Sequence, residues 1–309
     1  MLVGTDVRDE TRAFNDAIRA QMRELPPVEL FPPEQTRRAR YEGRGLFGTP
    51  TFVPEAQWVD ADGVRLRVLA SDDAPGVYLH VHGGGWTFGG ADLQDVALRQ
   101  LVRETGVAVA SVEYRLAPEH PFPAARDDCV AAARWLANGG AAEIGAPPVL
   151  TIGGESAGAH LAALTLLALR GEVEFAGANL AYGAYDLSGT PSRRAYDDVL
   201  VLTGSSMEWF TGNLLPGRDE ESRRDPDVSP LYADLRDLCP ALFFVGTCDP
   251  LLDDSLFMAA RWEIAGNETE LLLFDEGAHG FNAFPIALSR LANEAQARFL
   301  ARAASGAAV

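Results

Sequence analysis

Gly154-Glu155-Ser156-Ala157-Gly158 is the stretch of sequence on which the prediction of the fold depends. It follows an apolar run, Pro148 to Ile152, and precedes a run rich in alanine and leucine, Ala159 to Leu169. The pattern predicts a buried strand, a tight turn and a helix, with one serine at the turn. In this setting GxSxG is typical of a nucleophile elbow. A sharp bend holds the hydroxyl above the sheet, and glycines stand where a Cβ would collide with neighbouring backbone.

The composition is that of a globular protein with one core and a small accessory part. The chain has 309 residues, 47% of them hydrophobic, and no uninterrupted apolar run long enough to span a bilayer. Met1 to Arg23 carries charges throughout, so no signal peptide is visible. Three cysteines, an odd number, indicate reduced thiols rather than a disulfide framework. These features predict a cytoplasmic protein without a membrane partner.

The charged residues exclude several partners and mechanisms. A formal net charge of −18 repels nucleic-acid phosphates and anionic lipid surfaces, so neither is an expected partner. All 26 basic residues are arginine, because the sequence contains no lysine. Schiff-base chemistry, a pyridoxal phosphate anchor, a P-loop and an SxxK serine all require lysine and are therefore excluded.

Hydrophobic patterning divides the chain into an N-terminal arm, a core and an insertion. Apolar residues at four-residue spacing predict a helix over residues 6–24, and a second short helix follows over 33–41. Two strands flank a turn at Asp62-Gly63 and pair antiparallel. Six later strands alternate with helices, which predicts a parallel sheet covered on both faces. The alternation is interrupted from Asp186 to Pro230, which is interpreted as an insertion over the C-terminal edge of the sheet.

Ser156 requires a histidine as base, and the chain has five. His279 follows a predicted strand, in a loop bounded by Gly277 and Gly280, at the same edge of the sheet as the elbow. The alternative is an ordinary histidine of a surface loop. His160 lies one turn beyond Ser156 on the same helix, which points it alongside the elbow rather than above it, so a structural role is predicted.

An acid that orients the histidine should also follow a strand. Asp249 does so, directly after an apolar run ending at Gly246. Asp253 and Asp254 fall in the first turn of the next helix, where acidic residues commonly stabilise the N-terminus. Asp275 ends the following strand but stands too close to the histidine in sequence to be an obvious partner. Asp249 is therefore the predicted acid.

Acyl transfer also needs hydrogen-bond donors for a developing oxyanion. Ala157 follows the serine at a predicted helix N-terminus, so its N–H is free and favoured by the helix dipole. The run Gly83-Gly84-Gly85 follows the third strand, where its backbone can turn its amides inward and leave room for a substrate.

Five motifs occur in order along the chain: His82-Gly83-Gly84-Gly85-Trp86, Tyr114 to Ala124, Gly154 to Gly158, Asp249-Pro250-Leu251 and His279-Gly280-Phe281. Over residues 58–282 this combination resembles the hormone-sensitive-lipase family of bacterial esterases. The resemblance implies an α/β-hydrolase fold, with a mostly parallel eight-stranded sheet, helices on both faces and a small helical cap. It also implies cleavage of short-chain esters without a cofactor or a metal ion.

The resemblance further implies how the chain is divided and which residues form the site. It gives a cap arm over 1–46, core over 47–185, a cap insertion over 186–228 and core over 229–309. It matches the triad to Ser156, Asp249 and His279, and the oxyanion donors to Ala157 and the glycine run, with Gly84 and Gly85 favoured over Gly83. A homodimer through the last strand or helix is implied by analogy alone.

Glu155 departs from the family, which usually has Asp or Thr beside the serine. Its carboxylate either pairs with an arginine beneath the sheet edge or helps to set the loop that carries Asp249. Four aromatic residues either wall a pocket for the acyl or alcohol group or pack against the core: Trp86, Phe88, Tyr185 and Phe210.

The leading interpretation is a serine carboxylesterase acting on a small-molecule ester. His279 deprotonates Ser156, an acyl-enzyme forms, and water then hydrolyses it. Hydrolysis of amides, carbamates or lactones by the same residues is an alternative. A non-catalytic receptor on the same fold, like the plant gibberellin receptor, is a third. That receptor lacks the catalytic histidine, whereas His279 is present here.

Overall fold

A computed structural model describes residues 1–46 and 48–306 of the chain. One mixed, mostly parallel sheet forms its centre, in the order β1-β9-β8-β7-β6-β4-β5-β3-β2. In chain order its strands are β1 (Leu2–Val3), β2 (Gln57–Ala61), β3 (Val64–Leu69), β4 (Val77–Val81), β5 (Ala108–Val112), β6 (Leu150–Glu155), β7 (Phe175–Ala181), β8 (Ala241–Gly246) and β9 (Thr269–Phe274). The predicted strands over the core are confirmed.

The sheet has nine strands rather than the predicted eight, because the N-terminus adds one. Strand β1 pairs in parallel with β9, Leu2 opposite Leu273 and Val3 opposite Phe274. A two-residue strand is too short to produce an alternating pattern in the sequence, so patterning could not find it. β1 covers part of the outer edge of β9. The last strand is one of the two elements through which the family resemblance implies a homodimer.

The remaining pairings follow the sequence patterns closely. β2 and β3 are antiparallel and joined at Asp62 and Gly63, whose φ values of 53° and 95° are those of a tight hairpin turn. β3 pairs antiparallel with β5, and every other pairing is parallel. All residues of β4, β5 and β8 are buried, as expected of parallel strands that are covered on both faces.

Helices cover both faces of the sheet. In chain order they are α1 (Arg8–Glu24), α2 (Pro33–Tyr41), α3 (Asp95–Thr105), α4 (Ala124–Trp135), α5 (Ala141–Glu143), α6 (Ala157–Ala168), α7 (Pro191–Arg194), α8 (Gly204–Leu214), α9 (Leu252–Ile264) and α10 (Ala287–Ala304). α3 and α10 pack on one face, and α4, α6 and α9 pack on the other. The prediction omits α3, although Leu98 and Leu101 have helical spacing and are buried.

The N-terminal arm and the insertion contact each other. The guanidinium of Arg19 on α1 lies 2.8 Å from the carboxylate of Asp198 in the insertion. Ile18 on α1 packs with Leu200 and Ala278 in a small apolar cluster. The division into cap and core stays a prediction, and its boundary at Phe47 and its last residues, 307–309, lie outside the described residues. Within the described ranges, no helix is both long and apolar enough to cross a membrane.

Candidate active site

Ser156 occupies a sharp turn between β6 and α6. Its backbone has φ 57° and ψ −120°, a conformation that a residue with a side chain rarely adopts. A Cβ at Gly154 or at Gly158 would lie 1.9 Å from the carbonyl oxygen of Val81 on β4. Because only glycine permits this approach, the two glycines of the motif allow the strained turn to form against the neighbouring strand.

Ser156, His279 and Asp249 form a continuous chain of hydrogen bonds. His279 Nε2 is 2.8 Å from the Ser156 hydroxyl, and His279 Nδ1 is 2.9 Å from Asp249 Oδ2. Asp249 also accepts the backbone N–H of Leu251 at 2.8 Å. Since Asp249 accepts a hydrogen bond from the Nδ1–H of His279, the Nε2 atom is unprotonated and can accept the serine proton. Asp249 and His279 are both buried, which strengthens this pairing.

The other carboxylates considered as partners of His279 are bound elsewhere. Asp253 accepts the backbone N–H of Ser192 at 2.7 Å, and Asp275 forms an ion pair with Arg8. Among residues 1–46 and 48–306, no three His, Cys, Asp or Glu side chains are grouped so as to hold a metal ion.

Asp254, predicted simply to stabilise a helix N-terminus, instead holds the beginning of the insertion. Its carboxylate accepts the backbone N–H groups of Tyr185 and Asp186 at 2.7 and 2.8 Å, and the hydroxyl of Thr190 at 2.6 Å. Burial raises the pKa of Asp254 to about 6 despite these donors.

Helix α1 holds the loop that carries His279, a contact that the sequence patterns did not predict. Arg12 forms an ion pair with Glu276 at 2.7 Å, and the side-chain amide of Asn15 donates to the Glu276 carbonyl oxygen, also at 2.7 Å. The ring of Tyr182 lies edge-on to the imidazole, with ring centroids 5.0 Å apart. These neighbours limit the positions that the His279 ring can take.

The glycine run divides into one engaged amide and two free ones. The N–H of Gly83, predicted as a third candidate donor to an oxyanion, donates instead to Glu155 Oε1 at 2.7 Å in this structure. The backbone N–H groups of Gly84, Gly85 and Ala157 have no hydrogen-bond acceptor within the described part of the chain. Those three amides can donate to a bound ligand.

The four aromatic residues fall into two groups. The Phe210 ring lies against Gly85, where a Cβ would be 2.4 Å from it, and it meets Phe88 edge-to-face at 5.4 Å. Trp86, Phe88 and Tyr185 are buried, with 4%, 1% and 0% of their surface exposed. Their burial favours packing over contact with a substrate, whereas Phe210 of α8 lies over the glycine run.

His160 uses both ring nitrogens in structural hydrogen bonds. Nδ1 accepts the indole N–H of Trp86 at 3.0 Å, and Nε2 donates to the Val228 carbonyl oxygen at 2.8 Å. Burial lowers the pKa of His160 to about 4, so the ring is neutral near pH 7. It therefore joins the glycine run, the elbow helix and the end of the insertion.

The carboxylate of Glu155 takes neither of the two roles expected of it. Oε1 accepts the Gly83 N–H and the side-chain amide of Gln94, and Oε2 lies 3.1 Å from His80 Nε2. Burial acts to raise the pKa of Glu155, but His80 and the hydrogen-bond donors outweigh it and lower that pKa below its ordinary value. Glu155 therefore binds the glycine run as a carboxylate.

Buried neutral histidines make the fold sensitive to acid. Burial lowers the pKa values of His82 and His160 to about 4 from 6.5. The unfolded chain then binds more protons between pH 6.5 and 4, so the free energy of unfolding should fall as pH drops through this window, by up to about 3 kcal/mol for each histidine. Urea unfolding at pH 7 and pH 5 measures this loss. The raised pKa of Asp254, about 6, acts in the opposite direction and offsets part of this loss. The H160Q variant should therefore show a clearly smaller loss, and equal pH dependence in both proteins would contradict the assignment.

The chain is similar to known esterases in sequence and in structure. Residues 78–283 match a family described as having the alpha/beta hydrolase fold. Carboxylesterase NlhH of Mycobacterium tuberculosis is 32% identical over 308 residues, 93% of this chain and 94% of its own. An ethyl acetate hydrolase of Pseudomonas putida is 30% identical, covering 82% of this chain and 85% of its own. The crystal structure of a hormone-sensitive lipase from a metagenome library superposes with a TM-score of 0.84 and 28% identity, over 96% of this chain and 98% of that one.

Proposed function

The chain belongs to the hormone-sensitive-lipase-like carboxylesterases of the α/β-hydrolase superfamily, and from this we propose that it hydrolyses short-chain esters through Ser156, His279 and Asp249. The observation that carries the proposal is the unbroken chain of hydrogen bonds from the Ser156 hydroxyl to the Asp249 carboxylate, at 2.8 and 2.9 Å. A serine becomes a useful nucleophile only when such a base can take its proton.

In the acylation step, Ser156 Oγ attacks the carbonyl carbon of the ester while His279 Nε2 takes its proton. The carbonyl oxygen becomes an oxyanion and accepts hydrogen bonds from the free amides of Gly84, Gly85 and Ala157. Asp249 stabilises the imidazolium that forms. His279 then passes the proton to the leaving alcohol, and the acyl group remains on the serine.

Deacylation repeats these steps with water as the nucleophile. His279 Nε2 removes a proton from the water as its oxygen attacks the acyl carbon, and the same amides bind the second oxyanion. The proton returns to Ser156 Oγ when the acyl bond breaks, which releases the carboxylic acid. The enzyme is restored to its starting protonation state.

Short acyl chains are the proposed substrates because the cap lies close over the glycine run. Phe210 of α8 packs directly against Gly85 and limits the space beside the free amides. The relative from Pseudomonas putida, by its name, acts on ethyl acetate. We expect kcat/KM to be higher for p-nitrophenyl acetate, butyrate and hexanoate than for the laurate and palmitate esters. A maximum at the long-chain esters would contradict this proposal.

Covalent labelling tests whether Ser156 is the nucleophile. A fluorophosphonate should modify the wild-type protein once, on the peptide that contains Ser156, because only an activated serine reacts. The S156A variant should stay unlabelled, whereas S192A, altered at a serine of the insertion, should be labelled like the wild type. Labelling at another serine, or none, would overturn the proposal.

A further inference from the structure

Glu155 lies at the junction of the two parts of the proposed site. It is the last residue of β6 and directly precedes Ser156, so its backbone moves with the nucleophile elbow. Its side chain reaches the end of the neighbouring strand β4, where Oε1 accepts the N–H of Gly83 at 2.7 Å. One residue therefore connects the elbow with the first amide of the glycine run.

The Glu155 carboxylate is held in one orientation by further donors. Oε2 lies 3.1 Å from Nε2 of the buried His80, and Nδ1 of that ring lies 2.9 Å from the hydroxyl of Ser111 on β5. The side-chain amide of Gln94 donates to Oε1. Hydrogen bonds to an ionised acceptor are stronger and more directional than those between neutral groups. The position of the carboxylate is therefore fixed from three sides.

We propose that Glu155 is a positioning residue of the oxyanion site. By binding the Gly83 amide it fixes the backbone that aims the Gly84 and Gly85 amides at the oxyanion. The inference rests on the proposed function, since the orientation of these amides affects the reaction only if an oxyanion forms. The distance between donor and oxyanion determines how strongly a preorganised amide stabilises the transition state. Glu155 would then act on the reaction without touching the substrate.

The chain offers a matched control at the other end of the same loop. Glu113 accepts the backbone N–H of Ala91 at 2.7 Å, which is the same kind of contact made by the same kind of side chain. Ala91 lies beyond the glycine run, so this carboxylate holds the loop without holding Gly83. An effect specific to E155Q is thereby separated from a general loosening of the loop.

The test compares E155Q and E113Q with the wild type in hydrolysis of p-nitrophenyl butyrate and in inhibition by a butyl trifluoromethyl ketone, whose adduct with serine carries an oxyanion. The glutamine oxygen of E155Q can still accept the Gly83 N–H, but without the charge it holds that amide less firmly. We expect E155Q to lower kcat by a factor of about 10 to 100 with little change in KM, less than the loss of about 10² to 10³ that follows removal of a donor outright. Affinity for the ketone should fall by a similar factor, because the analogue uses the same amides. E113Q should change neither.

Three outcomes would overturn the proposal. They are unchanged kcat in E155Q, reduced kcat with unchanged affinity for the ketone, and equal losses in E113Q. If E155Q folds poorly, E155D keeps the charge and should retain more activity than E155A; equal activity in those two would also overturn it. Fluorophosphonate labelling of the wild type separates the two proposals, because its failure would refute the role of Ser156 whatever the variants of Glu155 do.

Discussion

Replacement of Ser156 by alanine is expected to lower kcat for p-nitrophenyl butyrate by a factor of about 10⁶. The variant removes Ser156 Oγ, the proposed nucleophile, while His279 and the free amides stay in place. A small residual rate should persist, because the amides still bind an oxyanion when water attacks directly. Hydrolysis followed at saturating substrate measures the loss, and a pre-steady-state burst should disappear with it.

The S156A result is informative only if the variant keeps its fold. Alanine is smaller than serine and leaves the hydrogen bond between His279 and Asp249 intact, so the melting temperature should change little. S192A serves as the control, since Ser192 lies in the insertion. Its hydroxyl donates to the Pro250 carbonyl oxygen at 2.8 Å, and within the described residues it makes no hydrogen bond with His279. Near-wild-type turnover by S156A would refute the serine mechanism.

The fold was predictable because local patterns encode it. Each strand of the parallel core is a short apolar run. The residues that follow the C-terminal ends of such strands lie together at one edge of the sheet. That rule alone brought Ser156, Asp249 and His279 together from widely separated positions. In the structure the imidazole of His279 lies within hydrogen-bond distance of both Ser156 and Asp249.

What escaped prediction depends on contacts between distant parts of the chain. Asn15 binds the backbone of Glu276 across 261 residues, and no periodicity in either segment marks that pairing. The partners of Glu155 come from another strand and from the loop after it, so its role could not be read from its neighbours in sequence. Tyr185 posed a different problem. The sequence around an aromatic residue looks the same whether its ring packs in the core or contacts a substrate.

Replacement of Asp249 by asparagine should lower kcat by a factor of about 10⁴ while leaving the fold intact. The carboxylate accepts a hydrogen bond from the Nδ1–H of His279, which keeps Nε2 unprotonated and able to accept the serine proton. An asparagine amide that donates to Nδ1 instead selects the tautomer with the proton on Nε2, which cannot accept the Ser156 proton. The loss should appear in kcat, measured with p-nitrophenyl butyrate, more than in KM, because the tautomer affects proton transfer and not binding.

D254N is the matched control for this prediction. Asp254 is also a buried aspartate, on the helix that follows Asp249, but it binds the backbone at the beginning of the insertion and not the histidine. Asparagine can keep those acceptor contacts with its side-chain oxygen, so D254N should retain most of its activity. A loss in D254N as large as that in D249N would mean that Asp249 affects activity by stabilising the surrounding structure rather than by orienting His279. A loss confined to D249N would assign the effect to the orientation of His279, because Asp249 binds that ring whereas Asp254 binds the backbone at the beginning of the insertion.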